Sequence, residues 1–231
     1  MGIKENIQSI EARKEAAARE FAPEQEALLV AVTKTRTPEE INEAIRAGVT
    51  DIGENKVQEI MAKYDQIDPV RWHLIGHLQT NKVKYIIDKV DLIHSVDSLK
   101  LAAEIDRRAA QHGKVMDILI QVNTANEESK SGVSSGEAEE LFLGILENCP
   151  NIRVCGIMCM APVAEDPEDV RPFFHEAREL YDKFSQVKHE RAAFRWLSMG
   201  MSHDFEAALK EGANLIRVGS AIFGERDYGN I

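Results

Sequence analysis

The chain has 231 residues, 44% of them hydrophobic and 29% charged, a composition that excludes a disordered or fibrous protein and allows one full core. A formal net charge of -11 argues against nucleic-acid binding, leaving room only for a local basic pocket. No apolar run approaches a bilayer span and Met1-Gly2-Ile3-Lys4-Glu5 leads into a charged helix, so a cytoplasmic protein without a membrane partner is expected.

Residues 3–20 predict a helix with Ile3, Ile7, Ile10 and Lys14 on one face, part of an N-terminal segment (1–22) packed on the body. Beyond it the chain alternates regularly. Strands are predicted at 28–34, 50–54, 71–76, 91–96, 115–123, 152–160, 194–199 and 215–219. Amphipathic segments lie between them at 38–48, 56–66, 79–89, 98–112, 134–148, 167–188 and 202–212. Several end on a glycine stop, as at Ala47-Gly48, His112-Gly113 and Glu211-Gly212. The strands are short and rich in Val, Ile and Leu, as strands covered on both faces are.

Eight strands alternating with helices predict an α/β fold, a single (β/α)8 TIM-type barrel with an extra N-terminal helix, occupying 1–231 as one domain. The alternative, a doubly wound open sheet, lacks a GxGxxG after its first strand. Asn126–Ser135 is a polar, glycine-containing loop after the fifth strand, either a cover for the site or an ordinary surface loop. Cys155 and Cys159 fall in one predicted strand with no His or Cys cluster nearby, which predicts buried thiols and no metal site.

The active site of such a barrel lies at the C-terminal ends of its strands. The first strand, in LLVAVTKTRTPEE (28–40), ends on Lys34, and Thr37-Pro38-Glu39-Glu40 then starts a helix with a capping box. A lysine there either carries its ammonium out to solvent or has its pKa drawn down toward amine chemistry. Leu197-Ser198-Met199-Gly200-Met201-Ser202 closes the seventh strand and opens a helix, with Ser202 expected at the N-cap. Arg217-Val218-Gly219-Ser220 ends the eighth. Ser202 alone is a plain cap and Gly219 alone a tight turn; together, on the loops where phosphate sites recur in this fold, they favour phosphate. Arg217 either points inward as a fixed cation or pairs with a surface carboxylate. A strand-end lysine, two phosphate loops and an inward arginine describe a site for pyridoxal 5'-phosphate, the lysine forming the Schiff base. His73 and His77 are four apart, but Gly76 and the strand-to-loop setting spoil the helical face a metal pair needs.

The chain resembles the pyridoxal-phosphate homeostasis proteins, relatives of the N-terminal barrel of alanine racemase. The resemblance is carried by Ala31-Val32-Thr33-Lys34, Gly53-Glu54-Asn55-Lys56-Val57-Gln58-Glu59, and Trp72-His73-Leu74-Ile75-Gly76-His77-Leu78-Gln79 with Asn81-Lys82. Gly156-Ile157-Met158-Cys159-Met160, Leu197 to Asp204 and Arg217 to Gly224 continue it in order. It implies Lys34 as the Schiff-base lysine and Ser202, Gly219 and Ser220 at the phosphate. It also implies Arg217 at the ring nitrogen, with Asn55, His73, Met160 and Ser198 lining the pocket. Thr33 and Ser220 stand where Ser and Thr are expected, and both keep the hydroxyl.

Alanine racemase opposes its lysine with a tyrosine from a second domain, and the sequence contains only Tyr64, Tyr85, Tyr181 and Tyr228. The first three fall on predicted outer helices, so only Tyr228 could approach the site. The expectation is therefore a cofactor carrier without catalytic residues, a monomer that holds pyridoxal phosphate and hands it to apo-enzymes that use it. The alternatives are a weak amino-acid racemase on the same Schiff base and a phosphate-binding barrel that forms none.

Overall fold

The computed structural model describes residues 2–21, 26–125, 127 and 131–225. Eight parallel strands close in sequence order, β1-β2-β3-β4-β5-β6-β7-β8, with β8 paired back to β1. They are β1 (Leu28–Val32), β2 (Asp51–Glu54), β3 (Arg71–Leu74), β4 (Leu92–Val96), β5 (Met116–Val122), β6 (Ile152–Cys159), β7 (Ala192–Ser198) and β8 (Leu215–Val218). Every predicted strand is present. The helices are α1 (Ile3–Phe21), α2 (Pro38–Arg46), α3 (Val57–Lys63), α4 (Leu99–Gln111), α5 (Ala138–Asn148), α6 (Arg171–Ser185), α7 (Phe205–Lys210) and α8 (Ser220–Phe223).

The capping box at α2 forms as the sequence predicts. The Thr37 hydroxyl accepts from Glu40 N at 3.3 Å, and Glu40 Oε2 accepts from Thr37 N at 2.8 Å. Helix α1 buries Ile7 and Ile10, each worth about 1.5–3 kcal/mol when fully covered. It is tied down by Asn6 Nδ2 donating to Ile222 O at 2.8 Å and by a two-pronged Arg13–Glu206 pair.

One connection departs from the prediction. The helix expected at 79–89 is a short 3-10 turn, Thr80–Tyr85, closed by bonds such as Lys82 N to Gln79 O and Ile86 N to Val83 O. Val83, Ile86, Ile87 and Val90 are still buried there. Their spacing reads as a helical stripe, but the segment lacks a side-chain cap and is poor in good helix formers.

The core has two compartments. Most of the apolar mass lies between the strands and the surrounding helices, while a small cluster (Val30, Leu92, Leu119, Cys155, Met158 and Leu215) lies inside the barrel. Gly156 marks the tightest point of the wall: its φ is +149°, and an added Cβ would sit 1.7 Å from Trp196 O. Strand β6 shifts register against both neighbours at this position, and the glycine lets β7 approach.

Cys155 and Cys159 are buried and free, as expected, and so is Cys149. Burial pushes the Cys159 thiol up to about 12 and the other two up to about 11. No helix among the described residues is long and apolar enough to cross a membrane.

Candidate functional site

Strand β1 ends at Val32, two residues before Lys34. Thr33 N still bonds Gly53 O at 3.0 Å, but Arg36 N then folds back to Thr33 O at 3.0 Å, and Thr35 takes the left-handed φ of 64°. Lys34 therefore sits half-buried on a turn just above the strand, at the barrel mouth.

That turn is braced from below. Thr33 points outward, where its hydroxyl donates to Glu54 Oε1 at 2.7 Å. Lys63 Nζ, reaching from the end of α3, donates to Thr33 O at 3.0 Å, Glu54 Oε1 at 2.8 Å and Glu59 Oε2 at 2.9 Å. Glu59 Oε2 also accepts from Thr35 N at 2.7 Å. The backbone on both sides of Lys34 is thus held by one buried ion cluster. Burial raises the Glu54 carboxyl despite Lys63, whereas the Lys63 ammonium and the Thr35 amide outweigh burial at Glu59 and lower it. The acidic residues of Gly53-Glu54-Asn55-Lys56-Val57-Gln58-Glu59 serve here, beneath the lysine.

A cavity of about 270 Å³ opens at the mouth, just below the ~300–1,000 Å³ typical of ligand pockets. Lys34, Arg36, Ser202, Arg217, Gly219 and Ser220 share its wall, with Ala161, Pro162, Val163 and Met201 as an apolar rim. The two predicted phosphate loops touch: Ser202 Oγ accepts from Gly219 N at 3.3 Å and from Ala221 N at 3.4 Å. At Gly219 a Cβ would come within 3.2 Å of the Val32 side chain, so the loop lies close against β1.

The expected helix cap at Ser202 is corrected by this geometry. Helix α7 starts at Phe205 with Asp204 at its N-cap, and Asp204 Oδ1 accepts from Met201 N at 2.5 Å. Ser202 lies in the preceding turn, so what it offers an anion is its hydroxyl and the amides converging on it, those of Gly219 and Ala221 at the start of α8.

Arg217 points inward, being two residues along β8 from the interior Leu215, and is buried. Its Nη1 donates to Ser198 Oγ at 2.5 Å and its Nη2 to Cys159 O at 3.0 Å. Burial lowers its pKa below the ordinary arginine value.

Four residues named with the pocket do not line this cavity. Ser198 sits one hydrogen bond behind Arg217, and His73 lies deeper, bonded to His94 and Asp51. Met160 packs against the interior apolar cluster, and Asn55 lies above β2 with its carbonyl against Gly76. His73 is buried while the side chain of His77 is 56% exposed, so the two do not face one ligand. No group of three metal-ligating side chains occurs among the described residues.

Tyr64 packs on Trp72 with ring centroids 5.6 Å apart, Tyr181 packs on Phe194, and Tyr85 is exposed on the 3-10 turn. Tyr228 lies outside the described residues, as do positions 126 and 128–130 of the 126–135 loop. The described part of that loop returns along β5, where Val133 N bonds Gln121 O at 2.9 Å, and does not line the cavity.

Sequence reasoning passed over Arg36, His203 and Asp204 in the cavity wall, and Asp51 and His94 in the interior. Arg36 had a signal, being two residues past the lysine in the same βα loop. The side chain of Arg36 donates to Gly224 O at 2.6 Å and pairs with Glu40 at 3.4 Å.

The profile of the alanine racemase N-terminal domain matches residues 6–227. The pyridoxal phosphate homeostasis protein of Aquifex aeolicus is 48% identical over 204 residues, covering 87% of this chain and 88% of that protein. Its Escherichia coli K12 counterpart is 37% identical over 209 residues, 88% of each chain. Among solved structures, PipY of Synechococcus elongatus with PLP bound superposes at a TM-score of 0.83 with 30% identity, covering 96% of this chain and 100% of that one. The alanine racemase of Clostridium difficile, at 14% identity and a TM-score of 0.77 over 61% of its length, shares the fold. This chain belongs to the family of pyridoxal phosphate homeostasis proteins.

Proposed function

We propose that this protein binds pyridoxal 5'-phosphate at the barrel mouth and serves intracellular cofactor homeostasis by storing, buffering or delivering it. One observation carries the reading: an amine, Lys34, shares a single cavity wall with the Ser202–Gly219–Ser220 cradle and the inward guanidinium of Arg217. The donor set fits the group. Two hydroxyls and the Gly219 and Ala221 amides suit a phosphate, Arg36 adds a cation at the same wall, and the apolar rim suits an aromatic ring. When bound, the cofactor supplies an aldehyde able to condense with an amine.

Each side chain then has a task. Lys34 anchors the cofactor covalently, its turn held by Lys63 and Glu59. Ser202 and Ser220 hold the phosphate. Arg217 donates toward the ring nitrogen and, because a guanidinium does not give up its proton, keeps that nitrogen unprotonated. That favours holding the cofactor over using it as an electron sink. Ser198 and His73 support Arg217 from behind the cavity wall, while Asn55 and Met160 flank the site from the β2 and β6 ends. Cytoplasmic apo-enzymes that use the cofactor are its recipients, and a monomer suffices, since one chain supplies the whole set. The relatives' names and the PLP bound in PipY support this reading.

Titrating the apo-protein with pyridoxal 5'-phosphate should develop visible absorbance that saturates at one equivalent per chain. Lys34→Ala should lose that absorbance with its circular dichroism unchanged. A folded variant that keeps the colour would move the anchor to another lysine and overturn the assignment.

A further inference from the structure

A barrel interior is ordinarily packed with branched apolar side chains. Here a line of polar side chains crosses it, one each from β8, β7, β4, β3 and β2. Arg217 Nη1 donates to Ser198 Oγ at 2.5 Å, and Ser198 Oγ lies 3.0 Å from His94 Nδ1. His94 Nε2 lies 2.9 Å from His73 Nδ1, and His73 Nε2 lies 2.9 Å from Asp51 Oδ1. The line ends on Arg71, whose Nε and Nη2 hold the two Asp51 oxygens at 2.7 and 2.6 Å. The Arg71 side chain is 58% exposed, and everything between it and the cavity is buried.

The two ends fix where the hydrogens lie. Arginine only donates, so Ser198 Oγ must accept from Arg217. Bonds from His73, Arg71 and Thr50 outweigh burial at Asp51 and hold it ionised, so it only accepts. His73 Nε2 therefore carries a hydrogen. His94 is fully buried and, beside His73 and Arg217, is held neutral with a single hydrogen. With one hydrogen on each ring, one pattern satisfies every member: His94 Nε2–H donates to His73 Nδ1, and the Ser198 hydroxyl donates to His94 Nδ1. Every hydrogen along the line points toward Asp51.

We propose that Asp51, at the end of the barrel away from the cavity, sets the direction of this one-way hydrogen-bond relay and through it orients Ser198 and the Arg217 guanidinium. Asp51, His73 and His94 are positioning residues that do not touch the ligand. The relay deepens the cofactor reading, and rests on it only for what Arg217 finally meets. Bonds in such a chain polarise one another, so a carboxylate at one end makes the serine oxygen a better acceptor at the other. The relay also accounts for His73 and Ser198, which are placed with the cofactor by resemblance yet lie behind the cavity wall.

The test is long-range 15N–1H correlation on histidine-labelled, cofactor-free protein at neutral pH. Wild type should show His73 and His94 each with hydrogen on Nε2 and a bare Nδ1. In Asp51→Ala the acceptor is gone, so His73 should move its hydrogen to Nδ1 and His94 should follow, now donating to Ser198. The pyridoxal phosphate dissociation constant should rise about tenfold, the worth of one well-placed hydrogen bond. Asp51→Ala/Arg71→Met removes the charge pair together and serves if the single variant does not fold. Arg71→Met alone keeps the carboxylate and should keep the wild-type tautomers. A wild-type Nδ1–H on either ring would overturn the direction, and an unchanged His94 tautomer without Asp51 would overturn the transmission. Because the spectra need no ligand, a failure of pyridoxal phosphate to bind leaves the tautomer result standing and falls on the cofactor reading alone.

Discussion

Replacing Lys63 by methionine tests whether the ion cluster beneath Lys34 holds the fold and the site together. The Lys63 side chain is 10% exposed and that of Glu54 is fully buried. The ammonium satisfies Glu54, Glu59 and the Thr33 carbonyl at 2.8 to 3.0 Å. Methionine keeps the stem's packing but leaves a buried carboxylate without its counter-ion, a loss of about 3–5 kcal/mol. With a urea m-value near 3 kcal/mol/M for a chain of this size, the midpoint should fall by about 1–2 M at unchanged m. Removing the stranded acid as well, in Lys63→Met/Glu54→Leu, should recover a large part of that loss, because apolar replacement of a buried pair is often neutral. The assay is urea unfolding followed by circular dichroism on wild type, both single variants and the double variant. A midpoint shift below about 0.3 M for Lys63→Met, or losses that simply add in the double, would refute the cluster as an energetic unit. In the folded variant the freed Thr33–Thr35 turn should also release pyridoxal phosphate faster.

Three further outcomes are expected. Gly156→Ala brings a Cβ to within 1.7 Å of Trp196 O at a φ of +149°, so it should lower stability by at least about 2 kcal/mol, read by thermal unfolding. Asp51 has a folded pKa below its unfolded one, so the stability it contributes is present above about pH 4 and is lost as pH falls through the folded pKa. Wild type should therefore lose its advantage over Asp51→Ala below about pH 4 in an acid titration; a constant difference would contradict this. Ser202→Ala and Ser220→Ala should each weaken pyridoxal phosphate retention on dialysis by about ten- to a hundredfold without abolishing the colour, the range for a hydrogen bond to a charged group.

The barrel was legible because most of its strands are short runs rich in Val, Ile and Leu that alternate regularly with amphipathic segments, and because strand ends are where such a fold keeps its site. Lys34, Ser202, Arg217, Gly219 and Ser220 could be placed from that rule alone. The interior relay was not legible. Its members sit in strands buried on both faces, where an inward residue and an outward one look alike in sequence. Glu54 and Asp51 share β2, yet Glu54 faces α3 and Lys63 while Asp51 faces the barrel axis. Only closure of the barrel decides which is which. The cap misplaced on Ser202 has a similar origin: a Ser ahead of an apolar run predicts a helix start, but Asp204, two residues on, takes the role.

Borohydride trapping followed by peptide mapping tests the central claim most directly. Protein incubated with pyridoxal 5'-phosphate, reduced and digested should carry a phosphopyridoxyl group on the peptide containing Lys34, and on no other lysine at stoichiometric yield. Modification spread over surface lysines, or a single adduct away from Lys34, would contradict the assignment of this cavity as the cofactor site.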